Sequence, residues 1–339
     1  MRIGVLTGGG DCPGLNAVIR AVTRRAWTNG HEVIGVREGW RGMTDHLFMP
    51  LGPEQISGIL PRGGTIIGTT RTNPYKVDGG VDKVRAAFRD LDALVAIGGE
   101  DTLGVAARLY DDFQLPVVGV PKTIDNDLSG TDYTFGFDTA VAICTEAIDR
   151  LHTTAESHNR VMVVEVMGRH AGWIAVHSGI AGGADVILIP EIPVDYDVVC
   201  DEINRRHGRG KNFSIVVVSE GCELPGADDK GEVDQFGHKL LAKRGVGERL
   251  GEEIEGRTGF ETRVTVLGHV QRGGSPTARD RILATRFGLC AAQLVEDGKF
   301  GQMAALRGDD VVPVSLKEAT AELKTVPLDW YDVAKNFFG

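Results

Sequence analysis

The sequence predicts an α/β protein made of two doubly wound, Rossmann-like α/β/α domains. Short apolar runs that end in glycines alternate with amphipathic stretches of helical period, which is typical of βαβ units around a parallel sheet. The pattern restarts near residue 137, and 339 residues with 42% hydrophobic content can form two cores. We expect one domain over residues 1–137 with about 271–315, and another over 138–270 with the C-terminal tail.

Composition narrows the class of protein before any motif is considered. The formal net charge of -10 argues against general binding to nucleic acid or to a membrane surface. Five scattered cysteines without a CxxC pair suit reduced, buried thiols. The opening lacks a signal-peptide pattern and no apolar run reaches membrane-span length, so we expect a cytoplasmic protein.

The first candidate binding element is a glycine-rich turn over residues 8–14. It follows an expected strand at 2–7 and precedes an amphipathic helix that contains Leu15, Val18 and Ile19. Backbone N–H groups at such a turn, with a helix dipole behind them, can bind phosphate. The turn matches neither the Walker lysine pattern nor the dinucleotide fingerprint, so a merely tight turn remains an alternative.

Two further loops carry charge in the first half of the chain. A loop-rich region follows the expected strand at 32–36 and ends at Arg71, which is either an anion ligand or a solvated surface arginine. After the expected strand at 94–97, Glu100 and Asp101 either complement the dipole of the following helix or offer carboxylate oxygens to Mg²⁺. Both alternatives stay open on composition alone.

The most concentrated charge lies in residues 121–127, with the sequence PKTIDND. This segment follows an expected buried strand at 117–120, and the helical pattern resumes near Gly136. Loops beyond the carboxyl ends of parallel strands hold ligands in open α/β sheets, so these loops should gather at one sheet edge as an active site. An acidic turn that only caps a helix is the alternative.

The second half repeats the alternation. We expect a long helix after Phe137, a polar surface loop over residues 224–237 followed by a helix, and a helix that begins with Pro276 at its first position. The segment after about residue 300 carries no site signal. Further strands are expected at 161–166, 186–189, 214–218 and 263–267, and further helices near 172–180 and 198–206.

Over roughly residues 1–290 the chain resembles the phosphofructokinase family. The resemblance rests on five motifs that occur in the family's order, namely residues 8–16, 98–101, 121–127, 167–169 and 269–276. It implies two doubly wound domains with the active site in the cleft between them. It also implies phosphoryl transfer to the 1-hydroxyl of fructose 6-phosphate.

The resemblance implies a role for each motif residue around the transferred group. Asp125 would be the general base, supported by Asp127, and Thr123 would touch the moving phosphoryl group. Arg71 and Arg169 would neutralise its charge. The metal would be Mg²⁺ at Glu100, where the family usually has aspartate. The donor-binding positions would be Gly9, Gly10, Asp11, Gly99 and Thr102.

The same resemblance implies the sugar-phosphate contacts and an oligomer. Met167 and Glu220 would bind the sugar. The 6-phosphate would be held by Arg160, Arg263, His269 and Arg272. Arg160 and Arg263 would reach in from a neighbouring subunit, which requires a homodimer or homotetramer.

Two positions bear on the phosphoryl donor. ATP-dependent members of the family usually have glycine at the position of Asp101, and a carboxylate there would oppose a nucleotide phosphate. Lys122 would hold the leaving phosphate, and the Asp101 and Lys122 combination resembles the pyrophosphate-dependent members. An ATP-dependent 6-phosphofructokinase is the alternative; an NAD kinase and a catalytically silent sugar-phosphate sensor explain fewer of the motifs.

Overall fold

The computed structural model describes residues 1–226 and 245–338. Its strands are β1 (Arg2–Thr7), β2 (Glu32–Val36), β3 (Phe48–Leu51), β4 (Ala93–Gly98), β5 (Val117–Thr123), β6 (Phe135–Gly136), β7 (Val161–Val166), β8 (Val186–Leu188), β9 (Ser214–Ser219), β10 (Thr262–Val266), β11 (Gln302–Arg307) and β12 (Asp310–Ser315). Its helices are α1 (Leu15–Thr28), α2 (Trp40–Thr44), α3 (Gly80–Ala87), α4 (Glu100–Phe113), α5 (Phe137–His158), α6 (Trp173–Ala181), α7 (Tyr196–Gly208), α8 (Val246–Thr258), α9 (Ala278–Glu296), α10 (Leu316–Ala319) and α11 (Leu328–Lys335).

The chain divides into two compact units. The first contains Met1–Thr139 and Arg272–Leu323, and the second contains Ala140–Gln271 and Lys324–Gly339. Each unit has its own sheet and its own hydrophobic core. Within the described ranges, no helix is both long enough and apolar enough to cross a membrane.

The first unit is built on a mixed sheet with the order β12-β11-β5-β4-β1-β2-β3, and β6 pairs with the end of β5. The central strands β1, β2, β4 and β5 are parallel, and every residue of β4 is buried, as expected for a strand covered on both faces. The chain runs from β1 outward to β2 and then returns to β4 on the other side of β1. The direction therefore reverses between β1 and β4, and right-handed crossovers place α1 and α4 on opposite faces.

The second unit has a parallel sheet with the order β10-β7-β9-β8. Its core is formed by side chains such as Val163, Val216 and Leu250. The C-terminal helix α11 returns to this unit, where the hydroxyl group of buried Tyr331 donates to the Ile187 carbonyl at 2.6 Å. The carboxyl ends of β7, β9 and β10 lie side by side.

Most of the expected elements are confirmed, one expectation is wrong, and two regions contain elements that the sequence does not predict. The region after β2 contains α2 and the antiparallel strand β3, although it carries little regular pattern. Pro276 is not the first residue of α9, because Thr277 caps this helix by accepting from the Asp280 N–H. The segment after residue 300 forms the antiparallel pair β11 and β12. The surface-loop expectation for 224–237 falls largely on residues 227–244, which are outside the described residues.

Candidate active site

The loops expected to bind ligands in the first unit follow strands at the switch point of its sheet. Residues 8–14 follow β1 and residues 99–102 follow β4, on either side of the crevice where the strand order reverses. Residues 121–127 complete β5 and continue beyond it, since β5 extends to Thr123 rather than ending at Val120. In doubly wound sheets this crevice is the general ligand position.

The glycine-rich turn is held by the segment that carries Arg71. The Gly9 N–H donates to the Thr70 carbonyl at 3.1 Å, and the Thr69 hydroxyl donates to the Gly9 carbonyl at 2.6 Å. Gly9 has φ of 76°, a conformation that favours glycine. Arg71, which follows Thr70 directly and is exposed, is therefore fixed in backbone position beside the turn.

Thr102 packs into the space that two glycines leave. A Cβ on Gly8 would lie 2.5 Å from the Thr102 Oγ1, and a Cβ on Gly98 would lie 2.3 Å from the Thr102 Cβ. Side chains at either position would push α4 away from β1 and β4. The first turn of α4, with Glu100 and Asp101, thus lies close against the turn that follows β1.

Arg272 lies beside the same turn. Its Nη1 donates to the Asp11 carbonyl at 3.3 Å, and a Cβ on Gly10 would lie 2.3 Å from that nitrogen. Gly10 is therefore required for the close approach of the guanidinium group. The family resemblance places Arg272 with Arg160, Arg263 and His269 around the 6-phosphate, whereas the contacts of Arg272 in the first unit are with the turn after β1.

Lys122 is buried, with 3% of its surface exposed. Its Nζ donates to the carbonyl of Gly10. Burial lowers the pKa of Lys122 and the positive charge of Arg272 lowers it further, while the carboxylates of Asp11 and Asp125 raise it. The amine is thus held against the turn after β1.

The segment from Thr123 to Asp127 is held in a defined conformation. The Asp125 N–H donates to the Thr123 hydroxyl oxygen at 3.1 Å, and the Thr134 hydroxyl donates to the Thr123 carbonyl at 2.7 Å. Asn126 is buried in the left-handed region with φ of 52°, and its Oδ1 accepts from the Thr134 N–H at 3.0 Å. The two aspartates that flank Asn126 are therefore presented by a rigid loop.

Asp127 has an unusually high pKa for a carboxyl group. Burial raises the pKa to about 7, and the charges of Asp125 and Glu100 add to the effect, while a hydrogen bond from Thr123 opposes it. Asp125 and Glu100 therefore both lie within electrostatic reach of Asp127. They form a concentrated negative site among the loops of the first unit.

This group of carboxylates fits Mg²⁺ bound through few protein ligands. Within residues 1–226 and 245–338, no cluster of three or more His, Cys, Asp or Glu residues could by itself hold a metal ion. Mg²⁺ commonly takes one or two carboxylates and completes its coordination with waters and phosphate oxygens. Glu100, at the start of α4, is the residue that would hold it, and a divalent cation would offset the charge that raises the pKa of Asp127.

The second unit presents its own set of candidate residues at the carboxyl ends of its strands. Met167 and Arg169 follow β7, and Glu220 follows β9, where its N–H donates to the Val166 carbonyl at 2.8 Å. Gly168 has φ of 134°, and its carbonyl accepts from the Ser219 hydroxyl at 2.6 Å. A Cβ at Gly168 would also lie 2.7 Å from the Ala171 carbonyl oxygen, so glycine is needed for this tight loop.

Arg160 and Arg263 lie at the opposite, amino end of this sheet. Arg160 precedes β7 and forms an ion pair of 2.8 Å with Glu261, and Arg263 pairs with the same carboxylate. His269, by contrast, follows β10 at the carboxyl end and is exposed. The structure thus brings the two arginines together and separates them from the carboxyl-edge residues of their own unit by the length of β7.

One residue that positions the loops was not singled out for this role by the sequence reasoning. Asn16 is buried in α1 and its amide group donates to the Arg62 carbonyl at 3.0 Å, while its Oδ1 accepts from the Ile66 N–H at 2.9 Å. It therefore ties the segment before Arg71 to α1. The available signal was an asparagine among the apolar residues of a helix that is otherwise packed against a sheet.

The fold and these loops define a doubly wound α/β protein with a glycine-rich turn at the switch point of its first sheet. A family model described as phosphofructokinase matches residues 2–295. The chain therefore belongs to the phosphofructokinase family.

Two curated relatives and one solved structure illustrate the range of similarity. The chain is 62% identical to a pyrophosphate--fructose 6-phosphate 1-phosphotransferase of Amycolatopsis mediterranei, over 100% of both chains. It is 52% identical to an ATP-dependent 6-phosphofructokinase of Corynebacterium efficiens, over 100% of this chain and 99% of the relative. The crystal structure of Pichia pastoris phosphofructokinase in the T-state matches with a TM-score of 0.82 and 32% identity, covering 99% of this chain and 36% of that one.

Proposed function

We propose that this chain transfers a phosphoryl group reversibly between pyrophosphate and the 1-hydroxyl of fructose 6-phosphate. The observation that carries the choice of donor is Asp101, in the first turn of α4 beside the turn after β1. The relatives named as pyrophosphate-dependent at 60–62% identity over the full chain support the same donor. The relatives named as ATP-dependent are 52–55% identical, and they make ATP the second candidate.

The carboxylate of Asp101 would act against a nucleotide. Pyrophosphate ends where ATP continues into its α-phosphate, so only ATP brings a further negative charge toward this side chain. Two unit charges at about 4 Å and an effective dielectric constant of about 20 repel each other by roughly 4 kcal/mol before relaxation. A glycine at the same position would remove both the charge and the bulk.

The proposed acceptor chemistry centres on Asp125. Phosphoryl transfer needs the attacking hydroxyl oriented and its proton accepted, and Asp125 would perform both tasks. Asp127 would support it through the electrostatic coupling between the two carboxyl groups. The Thr123 hydroxyl, which accepts from the Asp125 N–H, would contact the moving phosphoryl group.

Positive groups would stabilise the charge that spreads over the transferred phosphoryl oxygens. Lys122, buried against Gly10, would hold the departing phosphate of the donor. Arg71 and Arg169 would each offer a planar fork that can bind two oxygens. Mg²⁺, held by Glu100, would supply further charge neutralisation for the phosphates.

The second unit would bind the sugar phosphate. Met167 and Glu220 would contact the sugar, and His269 would contact the 6-phosphate. Arg272, which belongs to the first unit and contacts the turn after β1, would be a further ligand of the 6-phosphate. We further propose that the first unit, including the segment after Arg272, binds the donor. The division follows the placement of the glycine-rich turn in the first unit and of the Met167 loop in the second.

Arg160 and Arg263 would serve the 6-phosphate of a neighbouring subunit. Six residues of strand at about 3.3 Å each separate Arg160 from the carboxyl end of β7 by roughly 20 Å. An arginine side chain is far shorter than that distance, so Arg160 cannot reach the Met167 loop of its own chain by extension alone, and Arg263 shares the Glu261 carboxylate with Arg160. A homodimer or homotetramer would bring them to a second copy of the site.

The donor proposal is tested by comparing kcat/KM for pyrophosphate and ATP with fructose 6-phosphate and Mg²⁺. We expect pyrophosphate to be strongly preferred, and we expect Asp101→Gly to raise the value for ATP. Asp111→Gly places the same substitution in the same helix away from its first turn, and it should leave the preference unchanged. Turnover with ATP alone in the unmodified protein would refute the assignment, and an unchanged preference in Asp101→Gly would remove Asp101 from this role.

A further inference from the structure

Gln271 is a fully buried amide among the candidate residues of the second unit. It has 0% exposure and lies in the short turn Gly268–Arg272 that follows β10. The residues on either side of it are more exposed, with Val270 at 62%. A buried glutamine in such a turn must have partners for both ends of its amide group.

Three hydrogen bonds determine the orientation of this amide. Its Oε1 accepts from the backbone N–H of Met167 at 3.0 Å and from the thiol of Cys144 at 3.1 Å. Its Nε2 donates to the carbonyl of Gly268 at 3.0 Å. Rotating the amide by 180° would place N–H against N–H and oxygen against oxygen, so only one orientation satisfies all partners.

These bonds connect the two loops that would hold the sugar phosphate. The Met167 N–H belongs to the loop after β7 that continues into Arg169, and Gly268 directly precedes His269 in the turn after β10. Gly268 has φ of 50°, so its carbonyl direction depends on a left-handed backbone that the Gln271 amide holds in place. The side chain of Gln271 is therefore a polar link between these loops.

We propose that Gln271 is a positioning residue for fructose 6-phosphate, acting through Met167 and the turn that carries His269. The inference rests on the proposed function, because it takes these loops as the sugar-phosphate site. Gln271 touches no reacting atom in this role. Its loss should weaken binding of the sugar phosphate and leave the binding of pyrophosphate in the first unit unchanged.

The test compares steady-state KM values for both substrates in Gln271→Met, Gln271→Glu and Cys144→Ala. Methionine keeps the length and volume but leaves the Met167 N–H without an acceptor, so KM for fructose 6-phosphate should rise roughly tenfold, the effect of one lost hydrogen bond. KM for pyrophosphate should stay within about twofold. Glutamate keeps the acceptor for Met167 and should largely restore KM for fructose 6-phosphate, although it destabilises the turn by facing the Gly268 carbonyl with a carboxylate oxygen.

The matched control is Cys144→Ala, which removes the other donor to Oε1 and leaves the bond to Met167 intact. It should change neither KM. If Gln271→Met does not fold, Gln271→Asn replaces it. The shorter amide of asparagine cannot reach the Met167 N–H, so KM for fructose 6-phosphate should rise by the same factor.

Several outcomes would overturn the inference. The first is an unchanged KM for fructose 6-phosphate in Gln271→Met or its substitute, and the second is an equal rise in KM for fructose 6-phosphate and for pyrophosphate. The third is an equal rise in KM for fructose 6-phosphate in the methionine and glutamate variants. Turnover by the unmodified protein distinguishes this failure from a failure of the proposed function. If the unmodified protein neither binds nor converts fructose 6-phosphate, both are refuted.

Discussion

Replacing Gly10 with alanine should displace the Arg272 guanidinium group from the turn after β1. The new Cβ would lie 2.3 Å from Nη1 and 2.9 Å from Cζ of Arg272, whereas favourable contacts lie at about 3.5–4.0 Å. The guanidinium group must therefore move by roughly 1 Å or more. Gly10 does not have a positive φ, so alanine adds no backbone strain there.

Gly10→Ala should lower the free energy of unfolding by the contribution of the hydrogen bond from Arg272 to the Asp11 carbonyl. A bond of this kind contributes about 1 kcal/mol to the free energy of unfolding. In an Arg272→Met background the bond is already absent and a flexible side chain stands in place of the guanidinium group. Gly10→Ala should then cost little, which gives a coupling free energy of about 1 kcal/mol in the double-mutant cycle.

Urea unfolding of the four proteins in this cycle measures the coupling directly. Gly104→Ala is the matched control, because Gly104 lies within α4 and a Cβ there meets nothing within 4 Å. Alanine should stabilise that helix by about 0.5–1 kcal/mol. If the costs of Gly10→Ala and Arg272→Met add within about 0.3 kcal/mol, the proposed contact between these residues is refuted.

Substitutions at three further positions test Asp125, Asp280 and Asn126. Asp125→Ser should lower kcat by about 10²–10⁴ if Asp125 is the general base, measured with saturating substrates. Burial raises the pKa of Asp280 to about 6. The protonated carboxyl group therefore contributes stability that is fully present below the pKa of 3.8 in the unfolded chain and is lost as the pH rises through 6. Relative to Asp280→Asn, the free energy of unfolding of the unmodified protein in urea should fall by up to about 3 kcal/mol between pH 4 and pH 7. Asn126→Ala should be less stable than Asn126→Gly by about 1 kcal/mol, because only glycine adopts φ of 52° without cost.

Each of these has a result that would count against it. A fall in kcat of less than tenfold would exclude Asp125 as the base. A pH-independent difference between the unmodified protein and Asp280→Asn would show that this carboxyl group does not titrate as its burial requires. Equal unfolding free energies for the two Asn126 variants would remove the role assigned to the left-handed backbone.

The parts of the fold that the sequence predicts well are the buried parallel strands. β1, β2, β4, β7 and β9 read as short apolar runs because both faces of a covered parallel strand are apolar. β5 is longer than its apolar run because Lys122 and Thr123 extend the strand as polar residues that pair with β6. Burial of Lys122 depends on a carbonyl partner from a distant turn, which no local pattern reveals.

The elements that the sequence did not reveal depend on partners far along the chain. β3 contains Pro50 and is only partly buried, yet it pairs with β2 at the sheet edge, where a proline is tolerated. β11 joins the same sheet beside β5, about 180 residues later in the chain than that strand, and β12 pairs with β11 at the sheet edge. Such pairings follow from tertiary packing rather than from local propensity.

In the candidate site, too, the sequence predicts the residue types but not all of their contacts. The motifs identify which residues carry charge, and parallel topology predicts that the loops after β1, β4 and β5 share an edge. The contact of Arg272 with the turn after β1 and the burial of Gln271 depend on the fold of the turn after β10. Neither could be derived from residue type or spacing.

The reverse reaction shows whether pyrophosphate is the phosphoryl carrier. The protein is incubated with fructose 1,6-bisphosphate, orthophosphate and Mg²⁺, and the products are followed by ³¹P nuclear magnetic resonance without coupling enzymes. We predict that pyrophosphate and fructose 6-phosphate form together, and that ADP in place of orthophosphate yields little ATP. Formation of ATP from ADP, with no pyrophosphate formed from orthophosphate, would contradict the account.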